Sequence, residues 1–524
     1  MLVRDALKAV GWDGKAPAWP PDVFAYVAVL LSRSGAYTKV VDRWPPSRRS
    51  ADPSKWAADV RDVARQWRQS ARAAKPPVAV TRRWRLVTES LAISMSALPR
   101  HKRLVEALLE LCAIADETCQ GLGVPGADGA TSADDFGVTA ELLLLNSGTL
   151  CRKVSPSAVR VLPKLHTPQV GVTLRSLTHH VALVECTEVS CDWFAIPGGP
   201  RDRAGMNLLL VPWPLNVAPD QFRAIPGQLE NMPDGFGFFG FEPRVGDNAV
   251  RKLRRLLDAA QALVGDVHAV VLPELSVTED QHRQLTREVV HKRGAMLIAG
   301  IAGKASAGRT AKNFFTIEMS TVTGSPVTIG PQAKHHRWQL DSTQILNYGL
   351  GAHLNHKTRW WEHISIGDRK VAFLSMNPWL TLTVLLCEDL ARQDPVSQIV
   401  RAVGPNLVIT LLMDGPQRRD RWAARYATVL ADDPGCSVLT LTSLGMSRLC
   451  RPPGFPSPQS TIALWKDAKT GGPREIEMPT DADGVVLTLC AEFDQEWTAD
   501  GRGDDRTTGF PVVAGVHPVY LQPR

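Results

Sequence analysis

The sequence of 524 residues lacks several features that mark specialised classes of protein. No run of apolar residues reaches the roughly 18 that a membrane-spanning helix needs. The first residues, MLVRDALKAVGWDGKAPAW, contain no apolar core of a secretory signal, so we expect a cytosolic protein. The nine cysteines are scattered and include no CxxC pair, which argues against a disulfide framework or a cysteine-based zinc site.

The overall composition is that of an ordinary globular protein, but the charge is unevenly spread. Apolar residues make up 44% and charged residues 22% of the chain, and the length allows two or three domains. Residues 1–100 hold 18 Lys/Arg against 8 Asp/Glu, or +10, while the whole chain carries +7. Two interpretations of this basic region stay open: a solvated helical surface, or a surface that contacts nucleic acid or a protein partner.

The chain divides by pattern into four parts. Residues 1–150 favour a bundle-like helical domain, because apolar residues recur at spacings of three and four. Its helices are predicted at 23–35, 56–74 with Ser54 as cap, 86–98, 102–119 and 141–145, with a linker at 123–135. Residues 151–205 predict a β-rich connector containing VRVLPKL, VGVTLRSL and HHVALVEC. Residues 206–495 predict an α/β domain, and residues 496–524 a C-terminal tail with one strand.

Strands and helices alternate from Met206 onward, which is typical of a layered α/β protein. The predicted strands include MNLLLVPW, VHAVVLPEL, AMLIAGI, KVAFLSM, NLVITLL, SVLTLTS, TIALW and VVLTLC, with NFFTIEM and PVTIG as a hairpin. Helices are predicted at 246–265, 278–294, 395–403 and 418–431. This order predicts a fold in which strand ends present side chains to a shared site.

Three strand ends in this region carry reactive groups. Glu274 follows VVLP, Lys334 follows the predicted hairpin, and Cys387 ends the apolar run TLTVLLC. A glutamate can take a proton from a thiol, an ammonium can hold an oxyanion, and a cysteine can attack a carbonyl or nitrile carbon. Together the three are a complete set for covalent acyl transfer that requires no metal or other cofactor.

The ordered set resembles the nitrilase, or carbon–nitrogen hydrolase, superfamily. The matching pieces are LLLVPWP, VVLPEL, LIAGI, the lysine at 334, LLCEDL, NLVITLL and RWAARYATVLADDPGCSVLTLTSLG. The resemblance spans about 206–495 and implies a four-layer αββα sandwich with a catalytic triad of Glu274, Lys334 and Cys387. It also implies an oxyanion contact from the Glu388 backbone N–H and an auxiliary glutamate, for which Glu362 is the candidate. The implied activity is hydrolysis of a small amide or nitrile through a cysteine thioester.

The sequence departs from the family pattern at three places. The lysine is followed by His335, His336 and Arg337. We interpret the two histidines as packing or solvent-facing side chains, the alternative being metal ligands. Residues 337–360 form an insertion that either covers the pocket as a lid or blocks it. The loop 213–245 is longer than expected and predicts a substrate entrance.

Two further functions stay open on the sequence alone. The α/β region can be a catalytically weak or inactive sensing or binding module, with the basic N-terminal region contacting nucleic acid or a protein partner. The same triad can also transfer the acyl group to an acceptor other than water. The family resemblance implies a homo-oligomer.

Overall fold

The computed structural model describes residues 1–43, 53–70, 75–126, 134–197, 205–226, 233, 235–246, 248–303, 310–452, 454, 458–503 and 508–521. The helices within these ranges are α1 (Val3–Ala9), α2 (Pro20–Ser34), α3 (Val40–Arg43), α4 (Pro53–Ser70), α5 (Val78–Glu89), α6 (Lys102–Thr118), α7 (Asp135–Ser147), α8 (Ala249–Val264), α9 (Glu279–Thr286), α10 (Ser342–Asn347), α11 (Glu388–Ala391), α12 (Gln398–Val403), α13 (Trp422–Asp432) and α14 (Leu444–Leu449). Within the described ranges, none of the helices is both long and apolar enough to cross a lipid bilayer.

Within the described residues, the strands form two large sheets and two small ones. They are β1 (Arg160–Pro163), β2 (Val181–Val184), β3 (Ser190–Ala195), β4 (Met206–Leu210), β5 (Phe222–Ala224), β6 (Phe236–Phe241), β7 (Ala269–Thr278), β8 (Met296–Gly303), β9 (Lys312–Ser320), β10 (Pro326–Ala333), β11 (Gln339–Leu340), β12 (Arg359–Glu362), β13 (Lys370–Asn377), β14 (Leu380–Leu386), β15 (Leu407–Leu412), β16 (Ser437–Thr442), β17 (Thr461–Lys466), β18 (Arg474–Glu477), β19 (Gly484–Asp494) and β20 (Thr508–Val519).

Each large sheet contains seven strands and a parallel centre. The first sheet has the order β10-β9-β8-β7-β4-β19-β20, and the second has the order β18-β17-β16-β15-β14-β13-β3. The strands β4, β7 and β8 pair in parallel, as do β14, β15 and β16. Helices occupy the crossovers between these strands, as parallel pairing requires. The small sheets are β11-β12-β6-β5 and β1-β2.

Three of the four apolar cores of the described residues position the large sheets and their helices. Side chains from both large sheets share one core, which includes Leu208, Val271, Leu382 and Ile409. Helix α8 and its neighbours share a second core with the first sheet. The third core joins α12, α13 and the second sheet to the helices of residues 1–150. The predicted α/β class is confirmed as a mixed α/β architecture with several sheets.

The region predicted as a connector, residues 151–205, contributes directly to the second sheet, because β3 pairs in parallel with β13 at its edge. Within residues 1–150, α2 begins at Pro20 and ends before Gly35, whose φ of 72° suits a glycine cap. The boundaries predicted for four separate domains stay a prediction.

Several predicted elements are corrected by the structure. The helix predicted at 86–98 lies earlier, at α5, because Pro77 precedes its first turn and residues 90–97 form turns. The piece VGVTLRSL is not a strand: Leu174–Leu177 form a short 3₁₀ turn that Ser176 closes by accepting the Thr173 N–H at 2.9 Å.

Three other predictions near the chain's ends and breaks have mixed outcomes. The predicted cap Ser54 lies inside α4 rather than before it. The predicted C-terminal tail contains β20, which pairs with β19 along eleven positions and forms the edge of the first sheet. Most of the predicted linker, residues 127–133, lies outside the described residues.

Candidate active site

Glu274 lies at a bulge in β7 rather than at the strand's end. Between Leu272 and Val277 the register against β8 shifts, and Leu275 has a positive φ of 50°. Such a bulge redirects side chains locally. Gly300 of β8 passes so close that a Cβ there would lie 2.4 Å from the Pro273 carbonyl oxygen. The glycine therefore permits the bulge that aims Glu274 into the site.

Lys334 follows β10 directly, as predicted, and is anchored by the neighbouring strand. Its backbone N–H donates to the Asn313 carbonyl oxygen at 2.9 Å. Asn313 lies in β9, and the predicted hairpin of β9 and β10 is present as an antiparallel pair. The lysine side chain is only 1% exposed, so its charge must be compensated by neighbouring groups.

Cys387 follows β14 and precedes α11 in a strained backbone conformation. Its φ is 43° and its ψ is −107°, which a non-glycine residue rarely adopts. Its N–H donates to the Leu411 carbonyl oxygen of β15 at 3.0 Å. The following N–H, of Glu388, opens α11, where first-turn amides have no intrahelical acceptor. Strain at such a position is a common sign of a functional residue.

The carboxylates of Glu274 and Glu362 enclose the Lys334 ammonium. Lys334 Nζ lies 2.9 Å from Glu274 Oε1 and 2.7 Å from Glu362 Oε2. Asn313 Nδ2 donates to Glu274 Oε1 at 2.7 Å and to Glu362 Oε1 at 2.8 Å. The Met413 N–H donates to Glu274 Oε2 at 2.7 Å. The structure therefore places Glu362, the candidate auxiliary glutamate, against the Lys334 ammonium, and its auxiliary role stays a prediction.

The three charged side chains act on the ionisation of each other and of the thiol. Burial raises the pKa of Glu274, and the Lys334 ammonium opposes that rise. Burial alone would lower the pKa of Lys334, but the two carboxylates raise it well above its ordinary value. Burial raises the pKa of the Cys387 thiol, Glu274 adds to the rise, and Lys334 opposes it. The resting cysteine is therefore a protonated thiol at neutral pH.

A cavity of about 220 Å³ reaches Cys387 and opens to solvent. It is lined by Trp338, Gln344, Cys387, Glu388, Ala391, Arg392, Asp414, Trp422 and Tyr426. Glu388 and Arg392 form an ion pair at 3.0 Å, and the arginine side chain is 55% exposed. The volume is below the roughly 300–1,000 Å³ of sites for drug-sized ligands, so it suits a small group.

The insertion at 337–360 forms a wall of this cavity and leaves it open. It contains β11, α10 and the first half of β12, and it leads into Glu362. The Tyr348 hydroxyl donates to Asp414 Oδ1 at 2.6 Å and accepts the Gly415 N–H at 2.7 Å. Asp414 also accepts from Arg421 and Trp422. These bonds fix the insertion to the segment after β15, which argues against a blocked site.

The two histidines after the lysine pack against Asp389 of α11, the helix that follows Cys387. The His335 N–H donates to both Asp389 oxygens at 3.1 Å, and His336 Nδ1 lies 2.9 Å from Asp389 Oδ1. Burial lowers the pKa of His335. No cluster of three or more metal-ligating side chains occurs within the described ranges. Packing is therefore the interpretation that agrees with these contacts.

The long region 213–245 contributes β5 and β6 to the four-stranded small sheet, β11-β12-β6-β5. Strand β6 pairs in parallel with β12, which ends at Glu362. Trp360 and Trp361 of β12 lie in that sheet, and Trp361 contacts the rings of Phe236 and Phe238. The two tryptophans do not line the cavity at Cys387.

Sequence reasoning missed two contributors to the site, Asn313 and the Met413 backbone. Asn313 begins the predicted strand NFFTIEM, where a polar residue is unremarkable, and a backbone N–H leaves no trace in a sequence. Both reach the site because elements that are far apart in the chain pack against each other.

Comparison with known proteins finds similarity at the level of solved structures. No protein-family model matches the chain, and no curated protein matches it significantly. Nit3 of Saccharomyces cerevisiae, a member of branch 10 of the nitrilase superfamily, is 13% identical, with 55% of this chain and 90% of that one covered and a TM-score of 0.34.

Two further structures are similar to the same extent. A mutant of the amidase from Nesterenkonia sp. AN1 is 13% identical over 56% of this chain and 93% of that one, with a TM-score of 0.32. A CN-hydrolase superfamily protein of Xanthomonas campestris is 15% identical over 54% and 90%, with a TM-score of 0.33. The predicted resemblance is confirmed to this extent, and scores this low assign neither activity nor substrate.

Proposed function

We propose that this chain is a carbon–nitrogen hydrolase that cleaves a small amide through a cysteine thioester, within a four-layer αββα arrangement of its two large sheets. The observation that carries the proposal is the Glu274–Lys334–Glu362 cluster beside a strained, buried Cys387 that an open cavity reaches. A buried acid and ammonium whose charges act on a thiol form a recurring pattern of covalent catalysis, and the cavity reaches that thiol.

The first half of the reaction forms the thioester. Because the thiol is protonated at rest, Glu274 takes its proton as the sulfur attacks the amide carbon. The oxygen of the tetrahedral intermediate is held by the Lys334 ammonium and by the Glu388 N–H. Glu274 then gives the proton to the leaving nitrogen, the C–N bond breaks, and the amine departs.

The second half of the reaction hydrolyses the thioester and regenerates the free enzyme. Glu274 takes a proton from water, the resulting hydroxide attacks the thioester carbon, and the carbon–sulfur bond breaks. The sulfur regains a proton from Glu274, and the carboxylic acid leaves. An amine or other acceptor in place of water would give acyl transfer at the same thioester, and the cavity leaves that alternative open.

The cavity supports a substrate with a short acyl group. Trp338, Trp422 and Tyr426 offer aromatic faces, and the Glu388–Arg392 pair lies on the same cavity. The charge of Asp414 is compensated by Arg421 at 2.6 Å, so this wall adds no net charge. A homo-oligomer and a nucleic acid or protein partner for the basic N-terminal region stay predictions.

Covalent labelling tests the proposal directly. A mutant of the amidase from Nesterenkonia sp. AN1 carries the acetamide moiety of fluoroacetamide on its active-site cysteine. We choose fluoroacetamide as the probe because it is a small amide with an electrophilic carbon. We expect an acetamide adduct on Cys387, found by peptide mass spectrometry, and its loss in Cys387→Ala. Turnover of short amides should fall by several orders of magnitude in the same variant.

A second buried cysteine provides the control. Cys450 lies 3.7 Å from Arg421 on the far side of the cavity wall, and Cys450→Ala should keep both labelling and turnover. An adduct on another cysteine, or unchanged turnover in Cys387→Ala, would contradict the proposal.

A further inference from the structure

Asn313 contacts three residues of the site from a position that the mechanism does not use. Its backbone oxygen accepts the Lys334 N–H, and its side-chain Nδ2 donates to one oxygen each of Glu274 and Glu362. An amide nitrogen has two hydrogens, so it can serve both carboxylates at once. The reverse amide orientation would place its oxygen against two carboxylate oxygens, so the donating orientation is fixed.

The two carboxylates depend unequally on this amide. Glu274 also accepts from Lys334 and from the Met413 N–H, on different oxygens. Glu362 Oε2 accepts from Lys334 and from the Trp338 N–H at 3.2 Å. Among the contacts of the described residues, Glu362 Oε1 accepts only from Asn313.

One ammonium cannot neutralise two buried carboxylates. Carboxylates this close otherwise share a proton, because burial and their mutual repulsion both favour the neutral acid. A glutamate that already carries a proton cannot accept one from a thiol. A donor that serves both carboxylates without bringing a charge of its own reduces this tendency.

We propose that Asn313 is a positioning residue that keeps Glu274 and Glu362 ionised together around Lys334, so that Glu274 enters the reaction as a free base. The catalytic part of this inference rests on the proposed function. The effect on ionisation concerns the folded protein itself and can be measured without turnover.

The charged and titratable groups around Glu274 come from several elements. Lys334 follows β10, Glu362 ends β12, Cys387 follows β14, and Asp414 follows β15 with its charge compensated by Arg421. None of these groups changes when Asn313 is replaced, so a change in pH dependence would report the lost donor.

The experiment compares Asn313→Leu and Asn313→Ala with Asn207→Leu. Alanine removes the donor without adding bulk or a titratable group, so it tests the donor if the leucine variant folds poorly. Asn207 is a matched control, because its buried amide also donates twice, to the Val264 oxygen at 3.2 Å and the Asp266 oxygen at 2.8 Å, outside the site.

The first readout is urea unfolding of the full chain across pH 5 to 8. Loss of the donor raises the pKa of the carboxyl pair in the folded state, by about one to two pH units for one hydrogen bond to a charged group. A raised folded-state pKa gives stability that is lost as pH rises. For each Asn313 variant, the ratio of its folding equilibrium constant to that of wild type should therefore be tenfold or more lower at pH 8 than at pH 5. Asn207→Leu should show a loss that does not change with pH.

The second readout is the pH profile of kcat/KM and of Cys387 labelling by fluoroacetamide. The acid limb should move up by about one to two pH units in both Asn313 variants and stay in place in Asn207→Leu. A loss of activity with an unmoved limb, and a stability loss independent of pH, would overturn the role of Asn313. If wild type neither hydrolyses amides nor is labelled, the proposed function fails while the unfolding data still decide this inference.

Discussion

Replacing Lys334 with methionine would remove the one ammonium that lies between two buried carboxylates. Lys334 Nζ lies 2.9 Å and 2.7 Å from its two partners, and the three side chains are at most 5% exposed. At an effective dielectric constant of about 20, each contact carries about 6 kcal/mol of gross Coulomb attraction, which dehydration of the charges offsets in large part. Removing one member of such a group costs about 3–5 kcal/mol, so we expect that loss in the free energy of unfolding at pH 7.

The loss of unfolding free energy in Lys334→Met should depend on pH, because the variant changes the pKa of Glu274. Burial raises the pKa of Glu274, and the lysine ammonium opposes the rise. In the methionine variant that opposition is gone, so the folded-state pKa rises further above the unfolded value of about 4.3. Stability from a raised pKa is present at low pH and is lost as pH rises. The variant should therefore be nearest to wild type at pH 5 and furthest from it at pH 8.

Urea unfolding followed by tryptophan fluorescence at pH 5 and pH 8 would measure both effects. Lys252 is the control, since it pairs with Asp483 at 3.1 Å while both side chains keep 20% or more of their exposure. Lys252→Met should cost no more than about 1 kcal/mol at either pH. Equal losses in the two lysine variants, with no dependence on pH, would refute the buried charge cluster. Adding Glu362→Gln to Lys334→Met should restore part of the stability by removing one unpaired carboxylate.

Two further variants test other features of the structure. Gly300→Ala places a Cβ 2.5 Å from the Glu274 Cα, so labelling of Cys387 and amide turnover should fall at least about tenfold. The control Gly367→Ala, whose Cβ meets nothing within 4 Å, should match wild type. Unchanged turnover in Gly300→Ala would show that the bulge tolerates displacement. Arg502→Met removes the guanidinium that contacts three buried carboxylates, those of Asp116, Glu117 and Asp500, and should cost about 3–5 kcal/mol in urea unfolding. The control Arg244→Met breaks a half-exposed pair with Asp220 and should cost less than about 1 kcal/mol. Similar costs for both variants would contradict the buried network.

The parts of the site that follow apolar runs could be predicted from the sequence. Cys387 and Lys334 each come directly after a strand, because β14 and β10 are marked by local residue preferences. Glu274 was expected at a strand end and lies instead at a bulge within β7. The bulge depends on how β7 meets Gly300 of the next strand, and one strand's composition does not specify its register against another.

The long-range polar contacts could not be predicted in the same way. Asn313 meets glutamates 39 and 49 positions away, and Arg502 meets Asp116 from 386 positions away. A periodic pattern reports neighbours within about one helical turn or one strand pleat. Arg502, in the segment TADGRGDD, resembles a solvated turn locally, and only the packing of the C-terminal segment against α6 makes it a buried ion.

The charges of the candidate site suggest why a protonated cysteine suits it. With Glu274 and Glu362 both ionised, as proposed above, the buried cluster at rest holds one ammonium, two carboxylates and a neutral thiol, a net charge of −1. When the thiol proton moves to Glu274 and the negative charge passes to the oxygen of the substrate, the net charge is still −1. Changing the net charge of a buried site is costly, so a reaction that only relocates charge avoids that cost. The raised pKa of the Cys387 thiol then holds the proton on sulfur until a substrate carbonyl is present to take up the charge. The raised pKa of Glu274 makes that carboxylate the better acceptor when the proton moves.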